Sequence, residues 1–255
     1  MSHVRSHIAV IGVPIVSHVL PGLGIVRELV ARGHRVTCAN DPAAADRITA
    51  TGAELVPCDS TLPVADNAWP TDPVAWTRPE GAGTVLLISL GSAYTHRPEF
   101  YRRCLAAYGN RPGLHVVLQI GRHTDPRELG VIPPNVEVHS WVPQRAVLEQ
   151  ADAFVTHAGM GGCGDGLRAG VPMIAVPQGA EQFMNADRLV ELGVARRIDT
   201  PDATAESLWT ALNDVLDDPE LARRSARLRA EALSEGGTPR AVRLIEEMLE
   251  PVEGA

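Results

Sequence analysis

The chain contains no lysine, so all 23 of its basic residues are arginine. That absence excludes a phosphate-loop lysine, a pyridoxal Schiff base and any lysine general base. The four cysteines, Cys38, Cys58, Cys104 and Cys163, show no C-x-x-C spacing. A zinc or disulfide framework is therefore not expected, and a reducing compartment fits the pattern. No run reaches the ~18 apolar residues that a bilayer span requires. The start, SHIAVIGVPIVSHVL, is interrupted by Pro14 and His18 and lacks the basic region and cleavage site of a signal peptide. The expectation is a soluble, cytoplasmic protein. A formal net charge of -8 provides no basic surface for nucleic acid.

What is present is ample apolar material. With 45% hydrophobic residues in 255, the chain can bury the core of one large or two modest domains. Residues 7–13 (HIAVIGV) form a continuous β-branched run, the pattern of a strand buried on both faces. A helix is expected after Pro21 and Gly22 over residues 23–31, then strand, helix and short strand to residue 56. This β-α-β-α-β order implies a parallel sheet with right-handed crossovers. Residues 59–83 are rich in Pro, Asp, Thr and Trp and carry no sustained period, so they read as a loop or linker. From residue 84 alternation resumes to the end, as in a doubly wound α/β domain. The expected division is an N-terminal Rossmann-like unit (1–66), a linker (67–83) and a C-terminal domain (84–255).

The most informative stretch is THAGMGGCGDG, residues 156–166. It satisfies G-x-G-x-x-G, the weak fingerprint of a dinucleotide turn. That reading needs an acidic residue at the end of the next strand to hold a ribose. The next strand, MIAV, ends instead at Pro177 and Gln178, and it lies late in its domain. A nicotinamide site is disfavoured. A phosphate remains suitable, because a helix beginning at Gly161 and Gly162 offers unpaired N–H groups and a positive dipole end. His157, just ahead of the loop, can donate a hydrogen bond to such an anion. Close helix–sheet packing is the alternative reason for these glycines, and both reasons can hold together.

Reading outward, residues 141–186 are WVPQRAVLEQADAFVTHAGMGGCGDGLRAGVPMIAVPQGAEQFMNA. This segment resembles the nucleotide-sugar signature of the UDP-dependent glycosyltransferases of GT-B fold, and in particular their bacterial macrolide and natural-product branch. VLLISLGSAYT, VVLQIGR, NVEVHSWVPQ and, near the start, HVLPGLGIVRELVARGHRV resemble it too. The resemblance implies a complete C-terminal nucleotide-sugar domain behind an N-terminal, acceptor-side unit that is shortened.

It also implies roles. Trp141 would stack on uracil, with the Val142 backbone and Gln144 against base or ribose. Asp165 stands where the family usually has a Glu that grips the ribose, and Glu181 with Gln182 replaces an Asp-Gln pair that reads the sugar hydroxyls. Ser92, His157, Gly159, Gly161 and Gly162 would face the diphosphate, with Cys163 where Ser or Thr is common. His18 matches the general base, a role suited to a group titrating near neutrality. The Asp that orients this base in the family has no counterpart here, since Asp59, Asp66 and Asp72 do not match its motif. No cofactor or metal is expected. The expected partners are a UDP-sugar and a small lipophilic hydroxylated acceptor, and the exposed edge of a short N-terminal sheet makes a homodimer an expectation as well. Non-catalytic UDP binding, or a half-enzyme completed by a partner chain, is the alternative.

Overall fold

The computed structural model describes residues 5–13, 16–58, 75–92 and 95–249. They fall into two compact units, Met1–Pro70 with Leu233–Ala255, and Thr71–Ala232. Asp59, Asp66 and Asp72, and the first half of the expected linker, lie outside the described residues.

In the first unit β1 (His7–Ile11), β2 (Arg35–Asn40) and β3 (Glu54–Pro57) form a parallel sheet in that order. Helices α1 (Val16–Ala31) and α2 (Ala45–Thr49) connect them. The first helix starts earlier than its sequence suggests and carries Pro21 inside. The missing N–H costs one bond near the helix's open end, where tertiary packing outweighs local propensity. Val19, Val26 and Leu29 of α1 close over Val36 and Cys38 of β2. On β1, however, His7, Ala9 and Ile11 are exposed, and Ile11 is 85% accessible. The expectation that this strand is buried on both faces is therefore corrected. Its sequence retains a two-sided apolar pattern, but the described residues cover only one side.

The second unit begins with β4 (Thr84–Ser89), α3 (Pro98–Tyr108), β5 (Leu114–Gln119), β6 (Val136–His139) and α4 (Gln144–Leu148). It continues through β7 (Ala153–Thr156), α5 (Met160–Ala169), β8 (Met173–Ala175), α6 (Gln182–Glu191), β9 (Ala195–Arg197), α7 (Ala205–Leu216) and α8 (Pro219–Ser234). All six strands are parallel, in the order β6-β5-β4-β7-β8-β9. Successive residues alternate between two cores: Leu86, Ile88 and Val155 meet α3 and α7, while Leu87, Val117 and Phe154 meet α4, α5 and α6. Burial on both faces explains the unbroken apolar runs of these strands. Each fully buried Leu, Ile or Phe contributes about 1.5–3 kcal/mol of transfer free energy. Strand β9 escapes sequence reading, because Ala-Arg-Arg is short and charged.

The last helix, α9 (Gly237–Leu249), corrects the expected boundary. Sequence continuity assigns it to the C-terminal domain, but Val242 and Ile245 pack in the N-terminal core. Its buried Glu246 adds polar ties to the same unit. Oε1 accepts from His34 Nε2 at 3.2 Å and Oε2 from Arg32 Nη1 at 2.9 Å. The backbone N–H of Ser6 donates to His34 Nδ1, which leaves the ring proton on Nε2 to face Glu246. Removing one member of such a network strands the others without partners. Glu246→Ala is therefore expected to accelerate amide hydrogen exchange across residues 237–249 while α5 and β7 keep their protection. Among the described residues no helix is long and apolar enough to cross a membrane.

Candidate functional site at the sheet switch point

Within the second unit the chain leaves β4 toward β5 and β6 on one side, and returns to build β7, β8 and β9 on the other. The strand order therefore reverses between β4 and β7, which pair directly with Ser89 beside Thr156. Diverging connections at such a point open a crevice beyond the carboxyl ends of the strands. Gly91 follows β4 into this crevice and His157 follows β7. They touch: a Cβ on Gly91, which has φ +78, would lie 2.6 Å from the His157 ring. A Cβ on Gly159 would lie 2.3 Å from Nε2. A side chain at either glycine would thus run into the Nε2–Cε1 edge of the imidazole and displace it.

The ring's electrostatics follow from its burial. Among the described residues, His157 Nδ1 is buried with no partner in hydrogen-bonding geometry. Burial pushes the ring's pKa down to about 4, and Glu181 and the Ser89 backbone counter that only in part. At neutral pH the ring is uncharged, one N–H donor and one acceptor. Beside it, Gly159 caps α5 in an extended conformation. The first intrahelical bond is donated by Cys163 N to Gly159 O at 2.9 Å, so the N–H groups of Met160, Gly161 and Gly162 precede the ladder. A Cβ at Gly161 or Gly164 would meet nothing within 4 Å. At Gly162 it would press on Thr156 Oγ1 at 2.8 Å, and at Gly166 on Met173 Sδ at 2.5 Å. The loop's glycines therefore divide: Gly162 and Gly166 permit close helix–sheet packing, while Gly161 leaves its surface open.

The remaining expected residues distribute unevenly. Trp141 is half-buried and belongs to neither core cluster, so packing does not account for it. Of the Val142 backbone, expected to lie against base or ribose, the N–H already donates to Gln119 Oε1 at 3.1 Å, which leaves the carbonyl for that role. Gln144 Nε2 donates to Asp165 Oδ2 at 2.9 Å, which brings two of the expected ribose contacts together. Cys163 departs from expectation. Its side chain packs in the core with Val142 and Val147, its N–H is spent on Gly159, and burial raises its thiol pKa to about 11. Ser92 is exposed in the turn after β4, and Glu181 is exposed at the start of α6. Gln182 is buried, and its Oε1 accepts from the N–H groups of Gln178 and Gly179 at 2.8 and 3.2 Å. That carbonyl shapes the loop, so only the amide nitrogen is left to read a ligand. His18 belongs to the first unit, near the start of α1, with an exposed side chain.

Two contributors have no sequence signal. Ala158 and Ala180 adopt φ +59 and +52, two of the three non-glycine positive-φ residues among those described. Each adjoins a site residue, His157 or Glu181. A left-handed alanine costs on the order of 1 kcal/mol and persists only where surrounding structure enforces it. Asn185 supplies part of that enforcement by donating to the Ala158 carbonyl at 2.9 Å.

Residues 111–248 match the family described as erythromycin biosynthesis protein CIII-like, C-terminal domain. The oleandomycin glycosyltransferase of Streptomyces antibioticus is 59% identical over 171 residues, which are 67% of this chain and 40% of that protein. The NDP-glycosyltransferase YjiC of Bacillus licheniformis is 38% identical over 167 residues, 66% of this chain and 42% of that protein. The matched part therefore spans about two-fifths of these curated relatives. Among solved structures, the glycotransferase of kitacinnamycin superposes with a TM-score of 0.87 at 34% identity, covering 95% of this chain and 98% of that chain. The calicheamicin glycosyltransferase CalG4 shares the fold, with a TM-score of 0.85 at 24% identity over 96% of this chain and 98% of that chain.

Proposed function

Because the chain belongs to the erythromycin biosynthesis protein CIII-like family and has the fold of GT-B glycosyltransferases, we propose that it transfers a hexose from a UDP-sugar to a hydroxyl of a small macrolide-like acceptor. The observation that carries this reading is the neutral His157 N–H beside the open amino end of α5, at the point where the sheet order reverses. A diphosphate leaving group accumulates negative charge as the sugar departs. Fixed neutral donors aimed at that charge lower the barrier without reorganising.

In the proposed reaction the acceptor hydroxyl gives its proton to His18 and its oxygen attacks the anomeric carbon. The bond from that carbon to the phosphate oxygen breaks, and UDP leaves with the electron pair. A single in-line displacement inverts the anomeric centre. Trp141 would stack on the base, Gln144 and Asp165 would take the ribose hydroxyls, and Ser92 with the Gly161 amide would meet the phosphates. Glu181 and the Gln182 amide nitrogen would hold the sugar. With the leaving charge met by these donors, the reaction needs no divalent metal.

A second reading is UDP binding by a half-enzyme that a partner chain completes. It is favoured by the face of the N-terminal sheet that the described residues leave uncovered, where Ile11 is 85% exposed. Calorimetry with UDP tests what both readings share: heat of binding is expected, and its absence would remove the donor site. Incubation with UDP-glucose and a macrolide aglycone then separates them, since only the first yields glycoside without a partner. In that assay His18→Ala is expected to abolish product, and equal turnover would remove His18 from the mechanism.

A further inference from the structure

Arg145 follows Gln144 on α4 and reaches the same carboxylate. Its Nε donates to Asp165 Oδ1 at 2.8 Å, while Gln144 Nε2 donates to Oδ2 at 2.9 Å. The Asp165 side chain is only 17% exposed, whereas that of Arg145 is 70% exposed. An ion pair with so exposed an arginine contributes little to folding. Arg145 has therefore no evident structural purpose at this place, yet it ends on a half-buried carboxylate of the proposed ribose site.

We propose that Arg145 is a positioning residue for the nucleotide, acting through Asp165. The inference rests on the reading of Asp165 as a ribose contact. An aspartate is one methylene shorter than a glutamate, so its reach toward a hydroxyl depends more strictly on its orientation. Two donors on opposite oxygens fix that orientation before a ligand arrives. A carboxylate oxygen accepts about two hydrogen bonds, so each keeps capacity for a ribose hydroxyl. Arg145 also offsets the Asp165 charge, which would otherwise repel the diphosphate that shares the site. Preorganisation and charge balance both act on donor affinity and leave the bond-breaking step untouched.

The test is calorimetric titration with UDP and with 2′,3′-dideoxyuridine diphosphate, on the unmodified chain, Arg145→Met, Arg145→Lys, Asp165→Ala and the Arg145→Met/Asp165→Ala double variant. Arg145→Met is expected to weaken UDP about 5- to 10-fold, with unchanged thermal midpoint. Arg145→Lys restores the charge but not the planar contact, so it should recover part of the loss. The double variant should bind UDP no more weakly than Asp165→Ala alone, because the arginine acts only through the aspartate. Arg145→Lys, which keeps the charge, should leave affinity for the dideoxy nucleotide unchanged, and Arg145→Met should weaken it less than it weakens UDP, since only the charge balance then bears on binding. Where turnover is measurable, Arg145→Met should raise KM for the donor at constant kcat. Unweakened UDP binding by Arg145→Met, or losses that add in the double variant, would overturn the proposal while the donor site stood. No UDP binding by the unmodified chain would instead remove the reading on which it rests.

Discussion

Exchange of His157 for alanine is expected to weaken UDP binding about 10- to 100-fold, the range for a hydrogen bond to a charged group. The size of the effect comes from preparation of the donor rather than from its charge. The imidazole is neutral, with a pKa near 4, so it competes for phosphate through one oriented N–H. The bare Gly91 and Gly159 leave room for the ring's Nε2–Cε1 edge, and the left-handed Ala158 fixes where the backbone turns away. This orientation costs nothing when the ligand binds, since folding has already imposed it. Gly159→Ala provides a control that leaves the imidazole in the sequence. Its Cβ would meet Nε2 at 2.3 Å, so the ring must move, and a comparable loss is expected with little change in thermal midpoint. If His157→Ala binds UDP as well as the unmodified chain, the diphosphate does not lie at the switch point. If Gly159→Ala alone is silent, the ring's position is not what matters.

How much of this site can be read from sequence depends on where each residue's constraint originates. His157 and Gly161 are legible, because a histidine at a strand end followed by glycines is a local pattern with a direct physical purpose. Gln144 and Asp165 are legible only as members of a longer motif, and their mutual hydrogen bond depends on α4 meeting α5. Cys163 and Val142 show the limit of the motif for a related reason: it places them near the ligand, but only packing shows that the thiol faces the core and that the Val142 N–H already has an acceptor. The strain at Ala158 and Ala180 is invisible, since alanine carries no sign of a left-handed backbone. In the fold, buried strands such as β4 and β7 announce themselves by uninterrupted apolar runs. The allegiance of α9 does not, because it rests on contacts such as Glu246 meeting His34 more than two hundred positions away. Nor does the side of β1 that the described residues leave uncovered, since its sequence retains the pattern of a strand covered on both faces.

The same enclosure of His157 makes stability depend on pH, in a direction the ring's environment fixes. Burial lowers its pKa from 6.5 to about 4, so the folded chain resists protonation that the unfolded chain accepts. The ring's contribution is complete above about pH 6.5, declines as pH falls, and is fully lost below about pH 4. The whole gap corresponds to about 3 kcal/mol, of which about 2 kcal/mol is lost between pH 7 and pH 5. His157→Gln keeps a polar side chain that does not titrate. Denaturant unfolding at these two pH values should therefore show the unmodified chain losing about 2 kcal/mol more than the glutamine variant. Equal losses would mean that the ring is hydrated in solution and not buried. Ligand should reverse part of the effect. A bound diphosphate brings negative charge to the ring and favours its protonated form, as Glu181 already does weakly. UDP binding at pH 5 should then add a proton uptake at the ring, measurable as a dependence of calorimetric enthalpy on the ionisation heat of the buffer, and His157→Gln should shift that dependence toward proton release, leaving only the ligand's own phosphate to titrate. The two measurements bear on one geometry from opposite sides, since the apo ring must exclude a proton and the liganded ring must attract one.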